Sequence, residues 1–471
     1  MNQEEKHTLN IQINLEPDKK VVLFIASCAS FFVPFMSSSI NVALPVISAK
    51  FSLNAVVSTW VATAFILAST IFLLPISRAA DFYGRKKIFL IGQFLFAITT
   101  ILCGLSINIE MLIAFRFFQG ISASMIFATS MSIVTSTFQQ KERGKALGIT
   151  TAAIYIGLFS GPFIGGILTH LFGWRSIFYL TSVFAIIVCI ITKIFIKKEW
   201  SWENKVKFDI WGSIIYSLSL VLIMYGCSII PNKTGIISAF SGLLLFVCFL
   251  IIEENIKIPM FDIKLFISNK VFAFSNITAF LNYCATFAVT FLISYFLQYN
   301  KGLKPSYAGF ILLISPAIQS FIAPLSGRLS DKIEPRLISS FGMGISCISL
   351  ISFIFINNNS SLFSIVTKLI ILGIGFAMFG SPNSNAVMSS VDKNHYGIAT
   401  GILGTMRLLG QMMSMVIITS ILVLKIGSAK LTPENYSLYL ESMRISFAIL
   451  SLLCFLGIFT SLARGNIREL E

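Results

Sequence analysis

RAADFYGRKK, Arg78 to Lys87, lies between two strongly apolar runs, and GRLSDKIEPR, Gly327 to Arg336, lies between two more. Asp81 and Asp331 stand 250 positions apart, each a few residues past the end of one apolar run and shortly before the basic start of the next. A basic hairpin repeated between membrane-length segments points to an internally duplicated transporter and away from a single-copy enzyme.

Composition excludes a soluble globular domain: 56% of the 471 residues are apolar, 12% are charged, and Phe alone occurs 45 times. Runs of about twenty apolar residues, enough to cross a hydrocarbon core of roughly 30 Å as helix, recur from Val21 onward. Fourteen are predicted, among them 54–77, 111–137, 145–170, 271–299 and 396–424. An even number puts both termini on one side. With that side cytoplasmic, 24 of the 35 Lys/Arg fall inside, 8 outside and 3 within spans, so the net charge of +15 is mostly topology. The expectation is a multi-pass protein of the cytoplasmic membrane with both termini cytoplasmic, in contact with the lipid bilayer and acting as a monomer. Nucleic acid is not an expected partner, because the charges are scattered over short loops beside helix ends. The run after Lys19 and Lys20 is too long for a cleaved signal core and reads as a retained first helix.

All eight Cys fall within predicted spans without the close pairing of zinc or disulfide sites. The three His, His7, His170 and His395, share no helix face with another ligand. No metal, cofactor or catalytic His is expected.

Removing the residues from Trp200 to Asn255 shortens the offset between the hairpins to about 190, the length of six short-looped spans. The chain then divides into a cytoplasmic tail (1–20), a six-helix bundle (21–199), two inserted helices (200–255), a cytoplasmic linker (256–270) and a second six-helix bundle (271–471) with a short tail. The link before the insert carries Trp200 and Trp202, interfacial residue types. The one after it carries Phe261, Leu265 and Phe266, suited to a short amphipathic helix on the membrane surface. The longest remaining loop, 427–441, is expected outside.

Several motifs stand in order on these spans. SRAADFYGRKK is similar to the loop signature G-x-x-x-D-R-x-G-R-[KR], with Asp81, Gly84, Arg85 and Lys86 in place and departures at Ser77 and Phe82. RFFQG (Arg116, Gln119 and Gly120 its fixed positions) is similar to R-x-x-Q-G. GLFSGPFIGG matches G-x-x-x-G-P-x-x-G-G through Gly157, Gly161, Pro162, Gly165 and Gly166. On these residues, with GWRSIFYL from Gly173 and NVALP from Asn41, the chain resembles the major facilitator superfamily, specifically its fourteen-helix drug:proton antiporter branch. The resemblance covers nearly the whole chain. It implies an all-α membrane fold of 6+2+6 helices, two pseudo-symmetric bundles, and alternating access around a midplane cavity. It also implies efflux of a small amphipathic compound, multidrug resistance being the family's usual outcome, with protons as the coupling partner.

The residues themselves leave roles open. Asp81 can face the positive end of a neighbouring helix while Arg85 pairs with a carboxylate, latching the two halves when the cavity faces outward. Equally, Arg85 to Lys87 serve positive-inside topology around a tight Gly84 turn. The span 5 glycines permit close helix approach and Pro162 removes one hydrogen bond, either for transport direction or as ordinary packing. Arg407, about eleven residues into its span, and Arg116 are cavity candidates, or guanidiniums satisfied by carbonyls and, for Arg116, by Gln119. Lys368 reads as snorkelling outward.

None of the twenty Asp/Glu lies deep in a predicted span, and Met36 occupies the place where exporters of this family often carry Asp. Glu110, near the outer end of its span, is the nearest substitute as a proton site, so proton coupling and no coupling both stay open. Asn41, Asn282, Gln319, Asn383, Arg407 and Gln411 are the candidate cavity residues, with Asn276 and Asn385 as further polar positions. Among aromatic and aliphatic walls they suit a neutral or anionic solute at least as well as a cation. A membrane-embedded enzyme would need an acid/base constellation at a membrane face, and none is visible. A receptor would usually carry an extramembrane domain.

Overall fold

The computed structural model describes residues 18–200, 209–256, 259, 261, 263–391, 396–427 and 436–466. The tail up to residue 17, His7, Trp202, His395 and most of the 427–441 loop therefore lie outside the described residues. The described chain is helical: α1 (Lys19–Phe51), α2 (Ala55–Tyr83), α3 (Arg85–Leu105), α4 (Ile109–Thr137), α5 (Gln140–Phe172), α6 (Arg175–Phe195), α7 (Ile210–Ser228) and α8 (Lys233–Asn255). The short α9 (Ile263–Ser268) leads into α10 (Lys270–Thr286), α11 (Val289–Tyr295) and a π-helical turn (Phe296–Asn300). Then come α12 (Pro305–Leu312), α13 (Ile314–Ser330), α14 (Pro335–Ile354), α15 (Leu362–Ser389), α16 (Tyr396–Ile426) and α17 (Tyr436–Ala463).

Among the described residues fourteen spans are long and apolar enough to cross a membrane, with α10 to the π-turn counting as one and α12–α13 as another. Short polar side chains start several of them by taking orphan N–H groups of the first turn. Asn54 accepts from Val57 N at 2.7 Å, Asn108 from Met111 N at 2.9 Å and Asn269 from Phe272 N at 2.9 Å. The run expected as one helix over 271–299 is interrupted at Phe287–Ala288. There Ser414 Oγ of α16 receives the Ala288 N–H at 3.2 Å, and a side chain entering the ladder breaks it.

The duplication is visible in the packing. In the first half α1 lies against α4, α5 and α6, α2 against α4, and α3 against α4 and α6. The second half repeats every pair: α10 against α15, α16 and α17, α13 against α15, and α14 against α15 and α17. The halves meet through α5 on α12 and α13 and through α2 on α16, which are again equivalent pairs. The inserted α7 and α8 pack on each other, and α7 rests on α2 and α16. Tyr216 fastens it by donating to Thr70 O at 3.1 Å.

Candidate functional site

A cavity of about 1440 Å³, its open mouth included, lies between the two halves. Its walls come from the middle of α1 (Val33, Ser37), the later half of α2 (Phe65 to Ser77) and the last turns of α4 (Phe127 to Thr135). The first half of α5 (Leu147 to Leu158), Tyr283 and Phe287 near the α10 break, and the first half of α16 (Thr400 to Gln411) complete it. Each of these stretches lies at mid-span or toward the face that carries both described chain ends. The cavity therefore runs from the midplane toward the termini face.

The opposite face is closed between the halves. Tyr295 OH lies 2.7 Å from Ser48 Oγ, which itself lies 2.7 Å from Ser58 Oγ. Gln298 Nε2 donates to Val42 O and Tyr299 OH to Pro45 O, both at 2.9 Å, while Thr419 Oγ1 donates to Thr59 Oγ1 at 2.9 Å. Tyr295, Tyr299, Tyr436 and Tyr439 stack around this closure, with neighbouring ring centroids 5.4 to 6.1 Å apart. Beside it α5 and α12 touch backbone to backbone, and a Cβ on Gly309 would lie 2.2 Å from Pro162 O.

Arg407 is the one charged residue among those lining the cavity. Its Nη2 donates to Ser384 Oγ at 2.7 Å and its guanidinium lies 5.7 Å from the centre of the Tyr283 ring, while Nε is buried without a partner. Gln411, one turn further along α16, lines the same wall. Of the six residues expected to line a cavity, Arg407 and Gln411 do. The other four are not among its lining residues. Asn41 is buried within α1. Asn282 is fully buried with neither amide atom paired, and Gln319 donates to Ser315 Oγ at 3.4 Å. Asn383 donates to Ser275 O and accepts from Arg464, both at 3.0 Å.

Arg116 is also not a lining residue. It is fully buried between α4 and α2, where Nε donates to Val61 O at 3.0 Å and Nη1 to Gln119 Oε1 at 2.6 Å, with the guanidinium 4.3 Å from the Phe65 ring centre. Gln119 passes the network to Thr100 at 2.6 Å. Gly120 stands where α4 approaches α2, and its carbonyl accepts from Ser69 Oγ at 3.1 Å. Glu110 is exposed in the first turn of α4, apart from the buried Arg116. Along α5, Gly157, Gly161 and Gly165 form one ridge against α1, while Pro162 and Gly166 face α12. Ser39 Oγ of α1 donates to Gly161 O at 3.0 Å.

At the termini face, Arg85 pairs with Asp81 at 2.8 Å and donates to Ser132 O and Ser136 Oγ at the end of α4. Glu199, which the sequence reading did not single out, accepts from Lys86 N at 2.8 Å and Lys87 N at 3.2 Å, using a negative charge at the start of α3. Gly84 is in the left-handed region, with φ 104°, and the Glu199 carboxyl occupies the space a Cβ would need. In the second half Asn385 donates to Ser330 Oγ at 3.0 Å and Asp331 Oδ1 at 3.4 Å. Arg464, also missed, is buried just past α17, and desolvation pulls its guanidinium below the ordinary value while Glu334 pulls it up.

Residues 26–415 match the Major Facilitator Superfamily. The chain belongs to that superfamily. Riboflavin transporter RibZ of Clostridioides difficile (strain 630) is 31% identical over 444 residues, spanning 93% of this chain and 96% of its own. Multidrug resistance protein Stp of Mycobacterium tuberculosis (strain CDC 1551 / Oshkosh) is 30% identical over 86% of this chain and 76% of its own. A solved bacterial homolog of the human lysosomal transporter Spinster, inward-facing and unoccupied, has the same fold, with TM-score 0.67 at 18% identity over 95% of this chain and 97% of that one. The chain is a multi-pass membrane protein and a secondary transporter of small compounds, not an enzyme.

Proposed function

We propose that this transporter carries a small amphipathic solute, neutral or anionic, by alternating access of bundles 21–199 and 271–471. The insert 200–255 and the linker 256–270 form a peripheral unit beside them. The supporting observation is the cavity's make-up: aromatic and aliphatic walls, hydroxyls, Gln411, and Arg407 as the single charge. A lone guanidinium in such surroundings favours an acceptor-rich or anionic solute and repels a cation. The similarity to RibZ makes riboflavin, an uncharged aromatic heterocycle with a polyol chain, the first compound to try. Both termini are cytoplasmic in this reading, so the described conformation is open to the cytoplasm.

Flux into proteoliposomes tests it, with riboflavin, an anionic amphiphile and a cationic dye offered separately. Riboflavin or anion flux that falls in Arg407→Gln supports the reading; flux confined to the cation overturns it. A second reading is export of drug-like compounds in exchange for protons, favoured by the similarity to Stp and to the methylenomycin A resistance protein of Bacillus subtilis (strain 168) at 26% identity. Since no carboxylate lines the cavity among the described residues, proton dependence would pass through Asp81 or Glu110 at the membrane surfaces. Cation flux driven by a pH gradient, and lost in Asp81→Asn or Glu110→Gln, is the result that selects it.

A further inference from the structure

A second cavity, about 660 Å³, opens on the far side of the α2–α16 wall from the central one, and Leu74 borders both. It lies in the half of the membrane next to the termini face. Its floor is Leu74 of α2 and Leu409 of α16, and its outer wall is built by the insert and linker, from Tyr216, Phe249 and Phe261. Two of the lining side chains carry hydroxyls, and both are committed to backbone carbonyls: Tyr216 to Thr70 O at 3.1 Å and Thr405 to Gly401 O at 2.9 Å. A polar ligand would find no partner here and would lose its hydration, so the space suits hydrocarbon. Phe246, Leu250, Ile263 and Phe266 are half-buried, which places the mouth of the cavity at the protein surface. That surface meets lipid chains.

The rim at the membrane surface carries both signs: Glu253 is buried and accepts from Phe261 N–H at 3.3 Å, Glu254 is exposed beside it, and two lysines are exposed nearby. Lys264 is exposed on α9 directly after the lining residue Ile263, and Lys270 is exposed at the start of α10. Arg78 donates to Pro259 O, two residues before Phe261, and so ties the linker to the end of α2. Basic residues at the headgroup level beside an apolar slot complement a phosphate on a two-chain lipid.

We propose that this cavity is a structural lipid site, taking one acyl chain of an anionic phospholipid from the leaflet at the termini face, with its phosphate held near Lys264. The bound chain fills the seam between the inserted helix pair and the two-bundle transporter. It lies outside the solute route and does not depend on which compound is carried.

Native mass spectrometry of the purified full chain, mixed with phosphatidylglycerol or phosphatidylcholine of identical chains, reads the site directly. We expect one phosphatidylglycerol retained about tenfold more strongly than phosphatidylcholine, a difference of ~1.4 kcal/mol. That preference disappears in Lys264→Glu, and the retained lipid is lost in Thr405→Trp or Leu250→Trp, which fill the slot. Equal retention of the two lipids by the wild type overturns the headgroup assignment, and undiminished retention in the filled variants overturns the site. Should both filled variants fail to fold, Phe246→Trp keeps the question open to measurement. Its fluorescence should be quenched more by phosphatidylglycerol brominated along the chain than by the phosphatidylcholine equivalent, and equal or absent quenching refutes the proposal.

Discussion

The hydroxyl of Tyr295 lies 2.7 Å from Ser48 Oγ, so a residue of α11 and a residue of α1 close the face opposite the termini with one hydrogen bond. Tyr299 and Gln298, on the π-turn that follows, reach two further positions on α1. Successive aromatic and amide side chains on one irregular segment thus grip one helix of the other half. Each bond contributes on the order of 1 kcal/mol net, a size that holds one conformation without locking it.

Tyr295→Phe should therefore shift the population toward opening on that face by about fivefold, the equivalent of ~1 kcal/mol. Double electron–electron resonance between spin labels at Lys50 and Lys304, which lie on different halves, measures it. A longer distance component should grow in the variant. An unchanged distribution means that the Tyr295–Ser48 bond is dispensable and that the remaining bonds of Gln298, Tyr299 and Thr419, with the ring packing, hold the closure.

Gly309 and Pro162 make the second part of that closure. Adding a Cβ to Gly309 would push against a backbone carbonyl that cannot rotate away, so Gly309→Ala should separate α5 from α12 and destabilise the closed face by ~1–3 kcal/mol. Gly344, with nothing within 4 Å of its added Cβ, is the control, and Gly344→Ala should change neither the label distances nor the flux.

The Asp81–Arg85 pair lies within the first half and reaches only the end of α4. In a conformation open toward that face, a latch between the halves would be released, and the network then serves to keep its charges ordered for the next closure. Asp81→Asn should lower turnover while leaving solute affinity within about twofold, because the cavity is untouched. Asp331→Asn should be milder, since the second loop has Pro335 and Arg336 in place of the Gly-Arg-Lys ending that gives Asp81 its arginine at 2.8 Å. Flux measured against solute concentration separates the two parameters.

The sequence made the span count, the duplication and the insert legible, because apolar run length and loop charge respond to the bilayer and not to the helix neighbours. It could not assign faces. A helix in a membrane bundle is apolar on every side, so polar residues such as Asn282 and Gln319 carry no sign of whether they point into a cavity or a seam. Arg116 and Arg407 looked alike as intramembrane cations, and only the packing of α4 on α2 separates a guanidinium held by Val61 O and Gln119 from one facing open space. The closure was invisible for a different reason. Tyr295, Tyr299 and Tyr439 are separated by up to 144 positions and stand in a chain rich in aromatics, so nothing local marks them as partners. The break at Ala288 was likewise unreadable, since it depends on Ser414, 126 residues away.

The proposed orientation, with both termini cytoplasmic, is open to direct measurement. Cys introduced at Lys233 or Lys304 should react with an impermeant maleimide added to intact cells, whereas Cys at Lys332 should react only after permeabilisation. The reverse pattern would place the cavity mouth outside and invert the reading of which way the described conformation faces.

The two intramembrane arginines give the sharpest contrast. Arg407 lines the cavity and Arg116 does not, so Arg407→Gln should raise the KM for a neutral or anionic solute by roughly ten- to a hundredfold, in line with the ~1.5–3 kcal/mol of a hydrogen bond to a charged group. Arg407→Lys should recover part of that loss, because it keeps the charge and loses the planar fork. Arg116 behaves oppositely. Removing it leaves Val61 O and Gln119 without their donor inside the α2–α4 seam, so Arg116→Ala should destabilise the fold by ~1–3 kcal/mol and lower the melting temperature. Any protein that still folds should keep a near-normal KM. A KM raised by Arg116→Ala and untouched by Arg407→Gln would mean that the solute contacts the α2–α4 seam and not the α16 wall.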